Sequence, residues 1–354
     1  MSDLNINNIT DRTGDSGPVI AGVSTVSSTG AFTVPVGPTE MRGGRGRAII
    51  GAGGFPSGTN AMDYIDIATT GNGVDWGDLI TGNYGRGSFS SSTRGVVGGG
   101  SGPSYVATVE YQTISSSGGT AEFGDLNIGK RFMRATGNNS RGTWMGGQRP
   151  SSDLDRYGRI IEYHEIATTG NASYFGDMTE GRSANPTCSS PIRGITAGDQ
   201  GYSPYTGVAA ERKNIEYITF ATRGNGTLFG ELTSSEIMAR SGGALSSHTR
   251  GIFAGSNPGS PSPANKSEII EYITIATLGN SIDFGDLTAA CNSLMGTSNN
   301  TRGVFAGGYI HATGEVNTIQ YITIGTLGNA KDFGDLSGAK GYLPVAYSDS
   351  HGGI

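Results

Sequence analysis

The sequence predicts an all-β protein, a six-bladed β-propeller with four-stranded blades and an extended N-terminal arm. Two observations predict this fold. A unit of about 50 residues with several short strand patterns occurs six times between residue 45 and the end of the 354-residue chain. The last unit ends in a lone strand pattern, at 340–350, and the first unit lacks that strand. We therefore expect the last strand to complete the first blade and close the ring.

The arm comprises residues 1–44, which precede the repeats and are rich in glycine, serine and threonine. Strand patterns occur near 19–27 and at 30–37. One interpretation is a flexible terminus, since chain ends are commonly poorly ordered. The alternating apolar residues favour another, in which the arm becomes ordered against a neighbouring protein by strand addition.

The first strand of each repeat follows an arginine and is continuous and apolar. The clearest copy reads TRGVFAGG at 301–308, where the glycine pair is the turn signal that ends the strand. Two copies break the pair, as Gly198-Asp199 and Gly255-Ser256. The arginine that precedes this strand in each of the six repeats is called a register arginine below. The register arginines are Arg47, Arg94, Arg141, Arg193, Arg250 and Arg302.

The next strand carries a tyrosine in every copy. In residues 271–275, Tyr and Thr alternate with two isoleucines, so both faces of the strand are expected to be buried between stacked sheets. A Gly-Asn turn follows in five copies, and both residues tolerate positive φ. The tyrosines, predicted to pack in the core, are Tyr64, Tyr111, Tyr163, Tyr217, Tyr272 and Tyr321.

A third strand begins near a four-residue box: an aromatic residue twelve positions after the tyrosine, then glycine, an acid and an apolar residue. Acids and register arginines that recur in every copy are most simply connectors between blades, because a guanidinium fork bonds a carboxylate. The alternative is a ring of charge around the axis that binds an ion. The box acids are Asp78, Asp125, Asp177, Glu231, Asp286 and Asp335.

The fourth strand is predicted between each box and the next arginine, a spacing of fifteen residues in four of five cases. The arginine-to-tyrosine spacing instead varies from 17 to 24 residues. A fixed framework with one variable connection per repeat places all length variation on one face of the disc, called the loop face below. These connections are roughly 55–61, 101–107, 148–159, 199–213, 256–267 and 309–317.

The variable connections hold aromatic residues, an arginine and a histidine among Gly, Ser, Pro and Asn. This composition is typical of adaptable recognition surfaces, although ordinary surface loops also contain occasional aromatics. The candidate ligand- or partner-binding residues are Phe55, Tyr105, Arg149, Tyr157, Tyr202, Tyr205, Tyr309 and His311.

Other chemistry finds little support in the sequence. The four histidines do not occur at metal-ligand spacing, so we expect no metal and no cofactor. Cys188 and Cys291 are interpreted as small buried residues. A nucleophile elbow and a phosphate-binding loop are both absent from the sequence, so no catalytic residue is assigned. Paired loop carboxylates of a glycosidase remain an alternative.

Composition and charge exclude several classes of protein. A net charge of -6 argues against nucleic-acid binding. No apolar run is long enough to insert into a membrane, and no secretion signal is visible at the N-terminus. Hydrophobic residues make up 35% of the chain, which is too many for a disordered protein, and the 61 glycines lack the three-residue period of collagen.

The order of an apolar strand ending in Gly-Gly, a tyrosine strand and an aromatic-x-x-Leu box resembles the kelch propeller repeat. The particular residue sequence of the repeats resembles structural proteins of tailed bacteriophages, especially cyanophages. The leader DRTGDSGPVIAGVSTVSSTGAFTVPVGPTEMRG at 11–43 resembles them too. The resemblance implies a virion component made in the host cytoplasm. Where in the particle such a protein lies, and in how many copies, is left open.

We therefore expect a non-enzymatic phage virion protein, such as a tail or fibre component. Its arm would dock to other virion proteins, as part of a symmetric multimer, and its loop face would meet a host-surface glycan or a virion partner. The alternatives are a capsid or neck decoration protein without a ligand, or a carbohydrate-active enzyme on the same scaffold. Propellers host many unrelated functions, so the fold does not decide between them.

Overall fold

The computed structural model describes residues 46–54, 58–150, 158–202, 209–233, 242–256, 267–341 and 343–354, without the side chains of 199–202 and 209–212. The predicted arm, 1–44, lies outside the described residues. Among the residues described, none belongs to a helix long and apolar enough to cross a membrane.

Six four-stranded antiparallel sheets form the predicted blades. From the innermost strand outward, blade 1 consists of β26 (Val345–Ser348), β1 (Arg47–Gly51), β2 (Ala61–Asp66) and β3 (Val74–Asp78). Blade 2 consists of β4 (Gly87–Ser90), β5 (Arg94–Gly98), β6 (Thr108–Thr113) and β7 (Ala121–Asp125). Blade 3 consists of β8 (Arg134–Gly137), β9 (Arg141–Met145), β10 (Ile160–Glu165) and β11 (Ser173–Asp177).

The other three blades repeat this order. Blade 4 consists of β12 (Thr187–Ser189), β13 (Arg193–Tyr202), β14 (Ala209–Thr219) and β15 (Thr227–Glu231). Blade 5 consists of β16 (Gly243–Ser246), β17 (Arg250–Ser256), β18 (Ser267–Thr274) and β19 (Ile282–Asp286). Blade 6 consists of β20 (Met295–Ser298), β21 (Arg302–Ala306), β24 (Thr318–Thr323) and β25 (Lys331–Asp335), and it carries a small hairpin of β22 (Tyr309–Ile310) and β23 (Gly314–Glu315).

The ring closes as the sequence predicts, because the last strand, β26, pairs with β1 of the first blade. The innermost strands contact one another in the order of the blades, and β26 contacts both β4 and β20. The chain is thus joined end to end within one sheet, which leaves no open seam between blades 1 and 6.

The glycine pairs decide where the arginine-bearing strands end. In blade 2, Gly99 and Gly100 both have positive φ, at 63° and 106°, and the strand stops before them. Where Asp199 replaces the second glycine, β13 continues to Tyr202 through a register shift at Gly198. Blade 5 behaves alike, with β17 continuing to Ser256 past Gly255. A single glycine at this position therefore produces a β-bulge and the strand continues, whereas two consecutive glycines end the strand.

Parts of the predicted variable loops are therefore strands. Residues 199–202 and 209–212, predicted as loop, pair across an extended β13–β14 hairpin. The 309–317 connection contains the small β22–β23 hairpin. The reason is that a strand pair keeps its ladder of hydrogen bonds until a backbone conformation breaks it, and the broken glycine pair of blade 4 supplies only a bulge.

The apolar core lies between successive blades. Each hydrophobic cluster joins residues of two neighbours, for example Phe123 of blade 2 with Trp144 and Ile166 of blade 3. The glycine after a register arginine makes this contact possible: a Cβ on Gly142 would lie 2.2 Å from the ring of Phe89 in the preceding blade. Blade stacking is close enough there to exclude a methyl group.

Candidate functional site

The register arginines join each blade to the next. Arg94 lies with its guanidinium carbon 4.5 Å from the centre of the Tyr111 ring in its own blade, and its Nη1 donates to the Ile166 carbonyl of blade 3 at 2.8 Å. That carbonyl lies one residue beyond the last ladder pair of its strand and so is free to accept. The carbonyls used in this way, in order of the arginines, are those of Ile114, Ile166, Phe220, Ile275, Ile324 and Ile67.

The acceptor of each register arginine in the next blade is thus a carbonyl, where the sequence suggested a carboxylate. Arg141 also pairs with the Glu165 carboxylate, but this acid belongs to its own blade. The box acids contribute through their backbone instead. In blade 4, the Glu231 N–H donates to Asn280 Oδ1 of blade 5 at 3.1 Å. The amides of Asp125, Asp177, Asp286 and Asp335 bind an asparagine of the next blade in the same way, and in blade 1 the Asp78 carbonyl accepts from Thr120.

The Gly-Asn turns have a role that the sequence did not indicate. Their asparagines do not adopt positive φ; each serves as the side-chain acceptor for the amide of the preceding blade's box acid. The box glycine lets that turn approach, since a Cβ on Gly230 would lie 2.1 Å from the Gly279 carbonyl oxygen. The box and the turn are therefore the two halves of one contact between neighbouring blades.

Buried acids next to the tyrosines form a further connection that sequence reasoning missed. Glu216 of blade 4 is 1% exposed and accepts from the backbone N–H of Thr179, just past the box of blade 3. An acid or amide stands immediately before every repeat tyrosine, and this recurrence in the sequence could have indicated the contact. The residues that accept in this way are Asp63, Glu110, Glu162, Glu216, Glu271 and Gln320.

A chain of serine hydroxyls runs around the central channel. Ser90 donates to the Ser348 carbonyl at 2.7 Å, and each serine at this position donates to the innermost strand of the preceding blade. The donors are Ser90, Ser348, Ser298, Ser246 and Ser189. Blade 3 has Gly137 instead, whose carbonyl ends the series. The signal was a serine four residues before Arg94, Arg193, Arg250 and Arg302, with the fifth donor, Ser348, in the closing strand of blade 1.

Residues 349–354, called the plug below, pack into the channel at this point. The His351 ring lies 3.0 Å from the Ser90 carbonyl through Nε2, and its Nδ1 accepts from the Gly353 N–H. Gly352 donates to the Ser246 carbonyl, and His248 Nε2 lies 2.7 Å from the Ile354 oxygen. A Cβ on Gly353 would lie 2.0 Å from the Gly137 carbonyl oxygen, so the plug approaches the backbone of blade 3 too closely for a side chain at position 353.

The predicted recognition residues are dispersed. Phe55, Tyr157 and Tyr205 lie outside the described residues, and Tyr202 lies in β13 without a described side chain. Tyr105 and Arg149 lie on the adjacent blades 2 and 3, whereas Tyr309 and His311 belong to the hairpin of blade 6. The innermost strand of blade 6 neighbours those of blades 5 and 1, so these residues do not form a single site.

Tyr105 belongs to a small aromatic cluster around Arg131. The Arg131 guanidinium lies 5.1 Å from the Tyr105 ring centre and 4.8 Å from that of Phe132, and it donates to the Tyr84 hydroxyl at 2.7 Å. Phe132 has φ of 54°, a conformation that bulky residues rarely adopt. The surrounding contacts hold Phe132 in this strained conformation beside Tyr105 on the loop face.

Arg149 lines an open recess in blade 3. Its floor is the ion pair of Lys130 and Glu162, whose nitrogen and oxygen lie 2.5 Å apart. The box-to-strand connection of blade 2 and the variable connection of blade 3 supply the walls. The lining residues are Asn127, Ile128, Lys130, Gly146, Arg149, Gly158, Ile160, Glu162 and Tyr174.

Burial governs the titratable groups of the core. Desolvation lowers the pKa of His164 to about 4, opposed by the charge of Glu162, and its Nδ1 accepts from Trp144 Nε1 at 2.8 Å. Burial likewise raises the pKa of the Cys188 thiol, so it is not a reactive nucleophile at neutral pH. Within the described ranges, no three His, Cys, Asp or Glu side chains lie close enough to hold a metal ion.

Comparisons with known proteins bear on the fold. No protein-family model matches this sequence, and no curated protein matches it. Among solved structures, the protein YjhT superimposes with a TM-score of 0.62 at 13% sequence identity, covering 79% of this chain and 92% of that one. At this identity the likeness concerns the propeller architecture alone.

Proposed function

We propose that this chain is a non-catalytic virion structural protein whose propeller presents its loop face for recognition. The observation that carries the proposal is the contrast between the two parts of each repeat. The framework is fixed by the same inter-blade hydrogen bonds in blade after blade, while the length of the repeats varies in the connections of one face. A rigid scaffold with variable loops is the usual design of a recognition protein.

The acids of the framework support a non-catalytic role. Asp63, Glu110, Glu162, Glu216 and Glu271 are buried and accept backbone N–H groups that hold neighbouring blades together. A carboxylate engaged in this way stabilises the fold and is not available as a general acid or base. The arginine-aromatic cluster around Arg131 offers instead stacking surface and hydrogen bonds, the chemistry of ligand contact.

The virion assignment rests on the resemblance of the repeats and of the leader at 11–43 to tailed-phage structural proteins. In this proposal the arm, 1–44, docks to the particle, and the loop face meets a host-surface glycan or a neighbouring virion protein. The decisive experiment is immunogold labelling of intact particles with antibody against residues 46–354. Label at the tail tip or fibres is expected; label on the capsid or neck would indicate a decoration protein, and unlabelled particles would exclude a virion role.

Recognition by the loop face is tested with variants of the purified protein in binding to host cells and to a glycan array. Tyr105→Ala and Tyr309→Ala each alter the loop face and are expected to weaken binding. The control is Ile192→Ala, in the turn between β12 and β13 on the other face, where the side chain is 66% exposed. Equal binding by all three variants would contradict recognition through these residues, and release of a cleaved glycan would favour an enzyme.

A further inference from the structure

We propose that Arg134 binds a small monovalent anion, such as a halide ion, at the loop-face end of the central channel. This inference goes beyond the proposed function, because it concerns the channel and does not depend on a virion role. It follows from the position of the Arg134 guanidinium, from the absence of an acidic partner for it among the described residues, and from the small, uncharged lining of the channel beneath it.

The side chain of Arg134 crosses the channel. Arg134 is the first residue of β8, the innermost strand of blade 3, and it pairs with Met145 at the end of β9, next to the variable connection. Its Nη1 contacts Met295 Sδ on the innermost strand of blade 6, the opposite blade of the ring, and its Nη2 donates to the Gly242 carbonyl of blade 5 at 3.4 Å. The guanidinium therefore lies across the end of the channel that faces away from the plug.

Arg134 lacks the acid that other buried cations have. Arg86, Lys130 and Arg182 each pair with a buried glutamate at 2.5 to 2.6 Å. Arg134 is 2% exposed; burial lowers its pKa to about 9, no acid of the described residues opposes that shift, and the guanidinium is still protonated at neutral pH. Its Nε has no hydrogen-bond partner in the described part of the chain. Because a buried charge is stable only when it is paired, we expect a counter-ion here.

The cavity beneath the guanidinium contains no group that repels an anion, since none of the described residues that line it is acidic. Small side chains occupy its channel-facing positions near Arg134, namely Ser88, Ala135, Thr187, Ala244, Gly296 and Ala346. The Ser88 and Thr187 hydroxyls already donate to carbonyls of the preceding blades. The N–H groups of Arg134 are therefore the donors that would hold the anion.

The site favours an anion with one charge and weak hydration. A single guanidinium compensates one negative charge, so a dianion would leave a charge uncompensated in a poorly solvated space. An anion must also give up water to enter, and this costs less for the larger bromide ion than for fluoride. Met295, which contacts the guanidinium, is partly exposed, so a small ion has a short path from solvent.

The test compares thermal unfolding of the purified full chain with that of Arg134→Met, in sodium bromide and in sodium fluoride at equal ionic strength. The melting temperature of the unaltered chain should rise relative to that of the variant as bromide increases, and level off at a gain of about 2 °C or more, because bromide binds the folded state. Fluoride should leave this difference unchanged. Arg223→Gln, at an exposed position, is the control and should respond to bromide as the unaltered chain does.

A second measurement does not depend on whether Arg134→Met folds. Crystals of the unaltered protein soaked in bromide should show an anomalous diffraction peak within about 3.5 Å of the Arg134 guanidinium. The proposal is overturned if no peak lies there, if bromide changes the melting temperatures of the unaltered chain and of Arg134→Met equally, or if fluoride stabilises the unaltered chain as much as bromide does.

Discussion

At the scale of single residues, the register arginines show why one residue type recurs in every repeat. Arg250 stacks over Tyr272 of its own blade, 4.8 Å from the ring centre, and donates to the Ile324 carbonyl of the next blade at 2.8 Å. The planar guanidinium makes both contacts with one group, which a lysine ammonium on its flexible stem does not reproduce. The repeat therefore selects arginine for its geometry as well as for its charge.

Arg250→Gln is expected to destabilise the propeller by about 1–3 kcal/mol, because it removes a charge-assisted hydrogen bond and the stacking contact together. Urea denaturation followed by tryptophan fluorescence measures the change. Arg223→Gln removes the same charge at an exposed position, in the turn between β14 and β15, and serves as the control. A loss of stability as large in the control would mean that net charge, and not the contact between blades, is responsible.

Two buried histidines predict how stability depends on pH. Desolvation lowers the pKa of His351 and of His164 to about 4, below the unfolded value of 6.5. The unfolded chain then binds more protons between these values, so stability is fully present above pH 6.5 and is lost as the pH falls toward 4. His351 has the clearer mechanism: a proton on Nδ1 would displace the Gly353 N–H that this atom accepts.

Denaturation midpoints between pH 7 and pH 4 test this dependence. The His164→Gln, His351→Gln double variant is expected to lose less stability over that range than the unaltered chain. Gln112 of blade 2 already stands at the position of His164, so the blade accommodates glutamine there. An unchanged slope in the double variant would show that other groups cause the acid sensitivity.

At the scale of the strand and turn, the box and the Gly-Asn turn form one contact between blades. Gly230 must lack a side chain because a Cβ would lie 2.1 Å from the Gly279 carbonyl oxygen. The Gly279 N–H donates to the Phe229 carbonyl at 3.0 Å, and the adjacent Asn280 side chain accepts from Glu231. The edge strand of each blade is thus partly covered by the next blade, which protects it from pairing with another chain.

Gly230→Ala is expected to lower stability by more than about 2 kcal/mol, because backbone atoms of the next blade must move to admit the methyl group. Gly325→Ala is the control, since nothing lies within 4 Å of a Cβ at that position. Thermal unfolding of both variants measures the difference. Equal melting temperatures would show that the turn moves aside without cost.

At the scale of the whole molecule, one sheet holds the two ends of the described chain together. β26 pairs with β1, and the plug that follows it packs into the channel and contacts blades 2, 4 and 5 through Ser90, Ser189 and His248. Closure and plugging are therefore separate functions of adjacent residues.

Two truncations separate these functions. Deletion of 349–354 removes the plug and keeps β26, so a monomeric, cooperatively folding but less stable propeller is expected. Deletion of 343–354 also removes the closing strand, which exposes the edge of β1 and the neighbouring core, and aggregation is expected. Size-exclusion chromatography with thermal unfolding tests both. A soluble, cooperative protein after the longer deletion would contradict closure by β26.

The sequence alone was sufficient for the architecture. Tyr-to-box spacings of twelve residues and the lone final strand predicted six blades and their closure, because repeated strand lengths permit few arrangements. The sequence also located the variable connections on one face. It did not reveal that the broken glycine pair at Gly198-Asp199 extends a hairpin, since that depends on how far the two strands continue to pair.

Only the tertiary structure decided which atoms make the contacts. The box acids act through their backbone amides and the register arginines through carbonyls of the next blade, because both groups meet a neighbouring blade whose chemistry a single repeat does not contain. The recess lined by Lys130 and Arg149 could likewise not be predicted from a single repeat. Its walls come from blades 2 and 3, and proximity between residues of different blades is set by how the blades stack.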